Sequence, residues 1–322
     1  MTDAYVRTIA SMGTVVTIHV VGHGANRVDE IGRKRGVDAA LAWFDEVERS
    51  CSRFDPRSEV SQLSTRIGAR VPVSDLLFEA VRFALAVAEE SGGAFDPTVG
   101  LLLETHGFNR EYRSGAVVHT ALEPDDDASY RDVHLDADER TIMLARPLVL
   151  DLGAVAKGLA IDMAARELRG RSFADFAIDA GGDLYLAGRN ADGKPWSVGV
   201  RHPRDHQTLF ETLRVSNVAV CTSGDYERRT PGDDGGAEHH IMDPRTRVSA
   251  STAASVTVLA SSAMVADALG TAAFVLGPER GLELLERDGV DGVIITPALE
   301  RFATRGMRAE YLVEGRSSGF DS

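Results

Sequence analysis

Apolar residues along the chain change their spacing in a way that separates strands from helices. Tyr5 to Ile9 is rich in aromatic and β-branched residues. Beyond Met12-Gly13, the residues Val16, Ile18 and Val20 alternate with Thr17 and His19, the period of two of a half-buried strand. Two paired strands are predicted. From Val28 to Cys51 the residues Val37, Leu41, Phe44 and Val47 recur at helical spacing among Asp, Glu and Arg, which predicts a long amphipathic helix. Ser52-Arg53-Phe54-Asp55-Pro56 ends it, and Ser74 caps a second helix running through Phe78, Val81, Leu85 and Ala88. Gly92-Gly93 stops that helix, and the Pro- and Gly-punctuated stretch from Ala94 to Leu103 reads as a site-bearing segment rather than regular structure. The acidic run Glu123 to Asp127 reads as an exposed loop.

In the second half, a strand over Pro147 to Leu150 runs into Asp151-Leu152-Gly153-Ala154-Val155-Ala156-Lys157-Gly158, and a helix continues to Gly170. Short strands are predicted at Phe173 to Ile178, Leu184 to Ala187, Trp196 to Val200, Leu209 to Val215 and Val218 to Cys221, at a spacing that suggests antiparallel ribbons. A Gly-, Asp- and Pro-rich loop, Thr230 to Glu238, precedes His239-His240-Ile241-Met242-Asp243-Pro244. A strand over Ser255 to Leu259, helices over Ser262 to Leu276 and Glu279 to Glu286, and a strand over Gly292 to Thr296 complete the pattern. There is no fixed-period repeat. Strands mixed with helices, without regular βαβ alternation, predict an α+β fold.

The 322 residues include 43% hydrophobic and 26% charged, ordinary values for a globular chain with a sizeable core. Asp and Glu (49) outnumber Lys and Arg (35), a formal charge of -14 that disfavours nucleic acid and anionic lipid as partners. The same charge would repel an anionic dinucleotide, so any pyrophosphate site needs a cation, basic side chains or helix N-termini close by. No stretch approaches the roughly 20 apolar residues that span a bilayer. The N-terminal segment lacks a basic region followed by an unbroken apolar run, and has no cysteine placed for lipid attachment. Cys51 and Cys221 make no disulfide framework. A cytoplasmic protein is the expectation.

Asp267 and Thr271 lie four apart in SSAMVADALGTAAFVLG, so their oxygens leave one helix face a turn apart and can share one cation. An acid and an alcohol suit magnesium, which takes few protein oxygens and completes its shell with water and phosphate. An isolated D-x-x-x-T would read as a solvated carboxylate. Here Met264, Val265, Ala266, Leu269, Ala272 and Phe274 make the helix apolar nearly all round, and a buried carboxylate needs a partner. In DLGAVAKG, Lys157 can neutralise phosphate while Asp151 accepts from a ligand N–H; the alternative is a tight turn with a surface salt bridge. His240 reads equally as a base near neutral pH or as a partly buried histidine bonded to backbone. Zinc is disfavoured, because no Cys or Glu stands at ligand spacing from His239-His240. GGAFDPTVG, IDAGGDLYLAG and AVCTSGDYER interleave small residues with carboxylates and hydroxyls, which suits a planar ligand against backbone or, equally, hairpin turns.

Taken in order, MGT, SRFDPRSEVSQLS, GGAFDPTVG, DLGAVAKG, IDAGGDLYLAG, TSGDYER, HHIMDPRT and MVADALGTAAFVLG resemble the ApbE-type FAD:protein FMN transferases, from about residue 11 to 297. The resemblance implies a single α+β domain over residues 1–322, with mixed and antiparallel sheets, flanking helices and two lobes around a flavin cleft. It implies magnesium held by Asp267, Thr271 and the main-chain carbonyl of Ala154, with Gly270 where some relatives carry a second acid. It implies FAD contacts at Met12, Phe54, Ala94, Phe95, Asp96, Asp151, Lys157 and Ile241, and a base at His240. Phe54 stands where Tyr is frequent, and Lys157 where some members carry Glu. The implied reaction attaches FMN from FAD to a Thr or Ser hydroxyl of an acceptor flavoprotein and releases AMP. The alternatives are an FAD pyrophosphatase that uses water, and a non-catalytic flavin-binding protein. Manganese favours similar oxygen ligands and is an alternative metal.

Overall fold

Period-two alternation at the start of the chain becomes a hairpin. The computed structural model describes residues 3–22, 30–205, 207–231 and 237–309; the start of the helix predicted from Val28 and residues 232–236 of the Thr230 to Glu238 loop lie outside the described residues. Strands β1 (Asp3–Ser11) and β2 (Thr14–Gly22) pair antiparallel with Ser11 opposite Thr14, leaving Met12 and Gly13 as a two-residue turn. Both turn residues have positive φ, 52° and 73°, as the right-handed twist of a tight hairpin demands.

Helix α1 (Glu30–Cys51) buries Val37, Leu41, Phe44 and Val47, the predicted stripe. The short α2 (Glu59–Leu63) and β3 (Val71–Pro72) precede α3 (Asp75–Glu90), whose N-cap Ser74 accepts from the Leu77 amide at 3.2 Å. Next come α4 (Gly100–Thr105), β4 (Val133–Asp136) and β5 (Thr141–Leu144). Helix α4 occupies part of the stretch expected to be irregular. The strand expected over Pro147 to Leu150 reduces to one parallel bridge between Val149 and Val99.

Helix α5 (Gly153–Gly170) leads to β6 (Phe176–Ala180), β7 (Asp183–Ala187), β8 (Trp196–Arg201), β9 (Leu209–Val215) and β10 (Val218–Gly224). Four short strands follow: β11 (Arg229–Pro231), β12 (Ala237–His239), β13 (Met242–Asp243) and β14 (Val248–Ser249). The chain then forms β15 (Ser255–Ala260), α6 (Ala263–Leu276), α7 (Pro278–Arg287), β16 (Asp291–Ile295), β17 (Arg301–Ala303) and α8 (Arg305–Ala309). No helix among the described residues is long and apolar enough to cross a membrane.

The organising element is an eight-stranded sheet in the order β1-β2-β6-β7-β10-β15-β16-β17, antiparallel at every pairing. Side-chain alternation sorts each central strand between two cores. Tyr185, Cys221, Val258 and Ile294 join the helical layer of α1, α3, α5 and α6 on one face. Leu186, Val220, Leu259, Val293 and Ile295 pack with Val198, Val200, Leu213 and Val215 of the β8–β9 ribbon on the other. The α+β class expected from the pattern is the one observed.

Helices α5 and α6 are locked at two points. A Cβ on Gly158 would stand 2.5 Å from the main chain of Ala263 and Met264, so only glycine admits this approach. One turn on, Asp162 accepts from Ser262 Oγ at 2.6 Å and from the amides of Ala263 and Met264 at 2.7 and 3.0 Å, capping α6 from a neighbouring helix. Replacing Gly158 with Ala is therefore expected to destabilise the fold by about 1–3 kcal/mol through overpacking, measured by urea unfolding. Unchanged stability would remove the contact as a constraint.

Candidate active site

The lock between α5 and α6 decides which side chains meet above it. Lys157 lies one residue before Gly158, and its Nζ donates to Asp267 Oδ2 of α6 at 3.1 Å and to Asp183 Oδ2 at the start of β7. Asp183 and Asp267 are 5% and 7% exposed, so one ammonium stands between two buried carboxylates. Burial raises the Asp267 carboxyl to about 6; Lys157 opposes that rise and the Asp183 charge adds to it. The Lys157 ammonium is held above its ordinary range: burial acts against it and the two aspartates outweigh burial. The lysine is thus a largely buried cation, its side chain 21% exposed, and not half of a surface salt bridge.

Thr271 stands one helical turn beyond Asp267 on the same face, 3.4 Å from Ser223 Oγ at the end of β10. Gly270 faces the same wall, since a Cβ there would lie 3.4 Å from Ser223 Oγ. Ala154 opens α5 one turn before Lys157. The neighbourhood therefore offers two carboxylates, two hydroxyls and the first turn of a helix. Among the described residues no three His, Cys, Asp or Glu side chains converge as metal ligands. A site with one or two acids and several neutral oxygens fits magnesium's habits and not zinc's.

A second cluster surrounds Asp151. Its Oδ2 accepts from Arg53 Nε at 2.5 Å, its Oδ1 accepts from the Gly153 amide at 2.8 Å, and its own amide donates to Pro97 O at 2.7 Å. Burial works to raise this carboxyl, but Arg53 outweighs it and the pKa is lowered. Arg53 also donates to Phe108 O at 2.5 Å, and its guanidinium carbon lies 4.2 Å from the centroid of the Phe54 ring. Phe108 in turn meets the His240 ring edge-to-face at 6.4 Å between centroids.

The tandem histidines divide their roles. His239 is 8% exposed; its Nε2 donates to Ala250 O at 2.8 Å and its Nδ1 accepts from the Ile241 amide at 3.3 Å. It is the backbone-bonded core histidine. His240 bonds through its main chain to Arg228 O at 3.3 Å, while its ring Nδ1 is buried with no hydrogen-bond partner among the described residues. Burial first, and the Arg228 charge second, push its pKa down to about 3, so the imidazole is neutral across the physiological range.

The remaining expected flavin contacts are divided. Met12 sits in the β1–β2 turn, where a Cβ on Gly13 would lie 3.6 Å from Tyr112 Cβ and 3.9 Å from an Arg228 nitrogen. Ile241 is 4% exposed beside His240. Ala94 and Phe95 are 1% and 5% exposed and belong to the main core; their amides donate to the Ser91 carbonyl at 3.4 Å and to Ser91 Oγ at 3.1 Å, which leaves the main-chain carbonyls for any ligand. Asp96 accepts from Thr98 N and Oγ1 at 2.8 and 2.6 Å and from the Tyr130 amide at 3.2 Å. It lines a cavity of about 250 Å³ with Gly93, Thr98, Tyr130, Arg245 and Arg247, apart from Asp151, Asp267 and His240. Asp183, Ser223, Arg53 and Arg228 were not singled out from the sequence. All four lie inside the motif segments, Arg53 in SRFDPRSEVSQLS, Asp183 in IDAGGDLYLAG, and Ser223 and Arg228 in AVCTSGDYER, but nothing in the spacing says which side chain there turns toward the site.

A family model, the ApbE family, matches residues 12–294. The chain is 32% identical to the FAD:protein FMN transferase of Vibrio cholerae, over 80% of this chain and 78% of that one. It is 35% identical to the FAD:protein FMN transferase of Treponema pallidum, over 83% and 78%. In structure it is similar to the ApbE protein of Thermotoga maritima, with a TM-score of 0.83 and 29% identity over 95% of this chain and 98% of that chain. It is also similar to the flavin transferase ApbE of Vibrio cholerae, with a TM-score of 0.81 and 26% identity over 96% and 99%.

Removing the lysine leaves Asp183 and Asp267 facing each other without a cation. Lys157→Met is expected to cost about 3 kcal/mol in the presence of a chelator, and magnesium should recover part of that loss while stabilising the parent chain less. Thermal unfolding with and without magnesium checks both; a variant indifferent to magnesium would separate this pair from any metal.

Proposed function

Because this chain belongs to the ApbE family, we propose that it is a magnesium-dependent FAD:protein FMN transferase, moving FMN from FAD to a Thr or Ser hydroxyl of an acceptor flavoprotein. The observation that carries this reading is the face of α6 bearing Asp267 and Thr271, set against the first turn of α5 by Lys157. Asp267, Thr271 and the Ala154 carbonyl are the residues we assign to the metal, with manganese as an alternative ion. Bound there, magnesium supplies Lewis-acid polarisation and charge neutralisation at a diphosphate.

The chain's own groups account for the rest. Asp151 is fixed by Arg53 and the Gly153 amide, so it presents its carboxylate to a ligand N–H in one orientation. We assign the flavin contacts to Met12, Phe54, the main chain of Ala94 to Asp96, Asp151, Lys157 and Ile241. His240 takes the acceptor's hydroxyl proton, and the neutral, unpartnered Nδ1 supports that assignment. The acceptor oxygen then bonds to the FMN phosphorus, the anhydride P–O bond breaks and AMP leaves. The free, buried thiols Cys51 and Cys221 suit a reducing compartment, and we place the reaction in the cytoplasm on that ground.

Incubation with FAD, magnesium and a cytosolic extract is expected to give a covalently fluorescent protein band on a denaturing gel; FMN and AMP without a labelled protein would mean hydrolysis, and intact FAD would mean binding alone. Asp267→Ala is expected to abolish labelling at micromolar magnesium. His240→Ala is expected to slow transfer by about 10²–10⁴-fold while FAD still binds. The lowered imidazole pKa sets the sign of the pH dependence: the base is unprotonated above about 3, so kcat/KM should show no acidic limb from His240 between pH 8 and pH 5. A limb near 6.5 that vanishes in His240→Ala would overturn this.

A further inference from the structure

Among the described residues, the site places one strong cation outside any ion pair. Arg228 lies in the bend between β10 and β11, exposed, and among the described residues no carboxylate lies within ion-pair distance of it. The arginines around it are all engaged. Arg204 holds both oxygens of Asp225 at 2.7 Å, Arg229 donates to Asp225 O at 2.8 Å, and Arg201 pairs with Glu227 at 3.4 Å. Among the described residues Arg228 is thus an exposed guanidinium in no ion pair whose charge reaches Asp151 and Asp267, a place where an anionic ligand can bind.

Its position says which part of the ligand. One guanidinium nitrogen lies 3.9 Å from the Cβ position of Gly13 in the Met12 turn, and the Arg228 carbonyl holds the His240 amide at 3.3 Å. The Arg228 charge also reaches Asp151, Asp267 and the His240 ring. Asp151, Asp183 and Asp267 are offset by Lys157 and Arg53; adding a divalent ion and a doubly charged diphosphate leaves the group one positive charge short. Arg228 supplies that charge.

The geometry points to Arg228 as a diphosphate-binding residue that makes this site select the dinucleotide over flavins lacking phosphate. The inference rests on the transferase reading. A planar guanidinium offers paired N–H donors to phosphate oxygens, contacts that riboflavin lacks and FAD has.

The test uses the full chain with magnesium and compares FAD, riboflavin and AMP binding by flavin fluorescence and calorimetry in the parent, Arg228→Gln and Arg228→Lys. Arg228→Gln is expected to weaken FAD and AMP by about ten- to hundredfold while riboflavin changes less than about twofold, and Arg228→Lys to recover part of the loss. Raising KM for FAD more than it lowers kcat is the expected kinetic counterpart. If Arg228→Gln weakens riboflavin and FAD equally, or lowers the melting temperature by as much as it lowers affinity, the residue shapes the cleft and the inference falls. If it binds FAD as tightly as the parent and transfers FMN as fast, the inference falls while the transferase reading stands. If the parent neither binds FAD nor labels an acceptor, the transferase reading itself falls.

Discussion

Two buried carboxylates facing one ammonium form the interaction on which the site depends. Asp183 arrives on β7 and Asp267 on α6, and neither can keep its charge at 5% and 7% exposure without a cation between them. Lys157 reaches both because Gly158, the next residue, lets α5 touch the start of α6 main chain to main chain. Asp162 then caps α6 and fixes its rotation relative to α5. Replacing any one of these contacts would move the Asp267–Thr271 face with respect to the first turn of α5.

The sheet behind these helices is rigid for a plain reason: its central strands are buried on both faces. Every residue of β15 is buried, with Val256 and Val258 in the helical core and Leu259 in the ribbon core. A strand held on both sides has no soft direction in which to yield, so the ends of β7 and β10 present Asp183 and Ser223 at fixed positions. The second half of the site hangs from this frame by polar contacts. Arg53 ties the segment after α1 to Asp151 and to Phe108, and His106 Nδ1 meets Glu238 at 2.6 Å, joining the end of α4 to the ribbon that precedes His240. Segments as far apart as Met12, Arg53, Phe108, Asp151, Arg228 and His240 converge through these links.

Much of this molecule was legible in its residues. The hairpin around Met12-Gly13, the stripe of α1, the Ser74 cap, the start of α6 near Ser262 and its apolar surface all rest on local rules, periodicity and capping, which act within about one turn of chain. The elements that escaped were short. Helices α2 and α4 and strands β3 to β5 span six residues or fewer, too few for a period to declare itself. The stretch over Pro147 to Leu150 has the apolar run of a strand but makes a single bridge, because pairing depends on a neighbour that the run itself does not specify.

The sequence by itself determined the α+β class, the shared face of Asp267 and Thr271, and the ordered motifs that mark the family. Tertiary structure alone decided that Asp183 shares Lys157 with Asp267, that the His239 ring and not the His240 ring is bonded to backbone, and that Arg228 forms no ion pair among the described residues. The physical reason is the range of the forces involved. Periodicity and capping are set by residues three or four apart, whereas the partner of a buried charge is chosen by which distant segment the packing of α5, α6 and the sheet brings within about 3 Å.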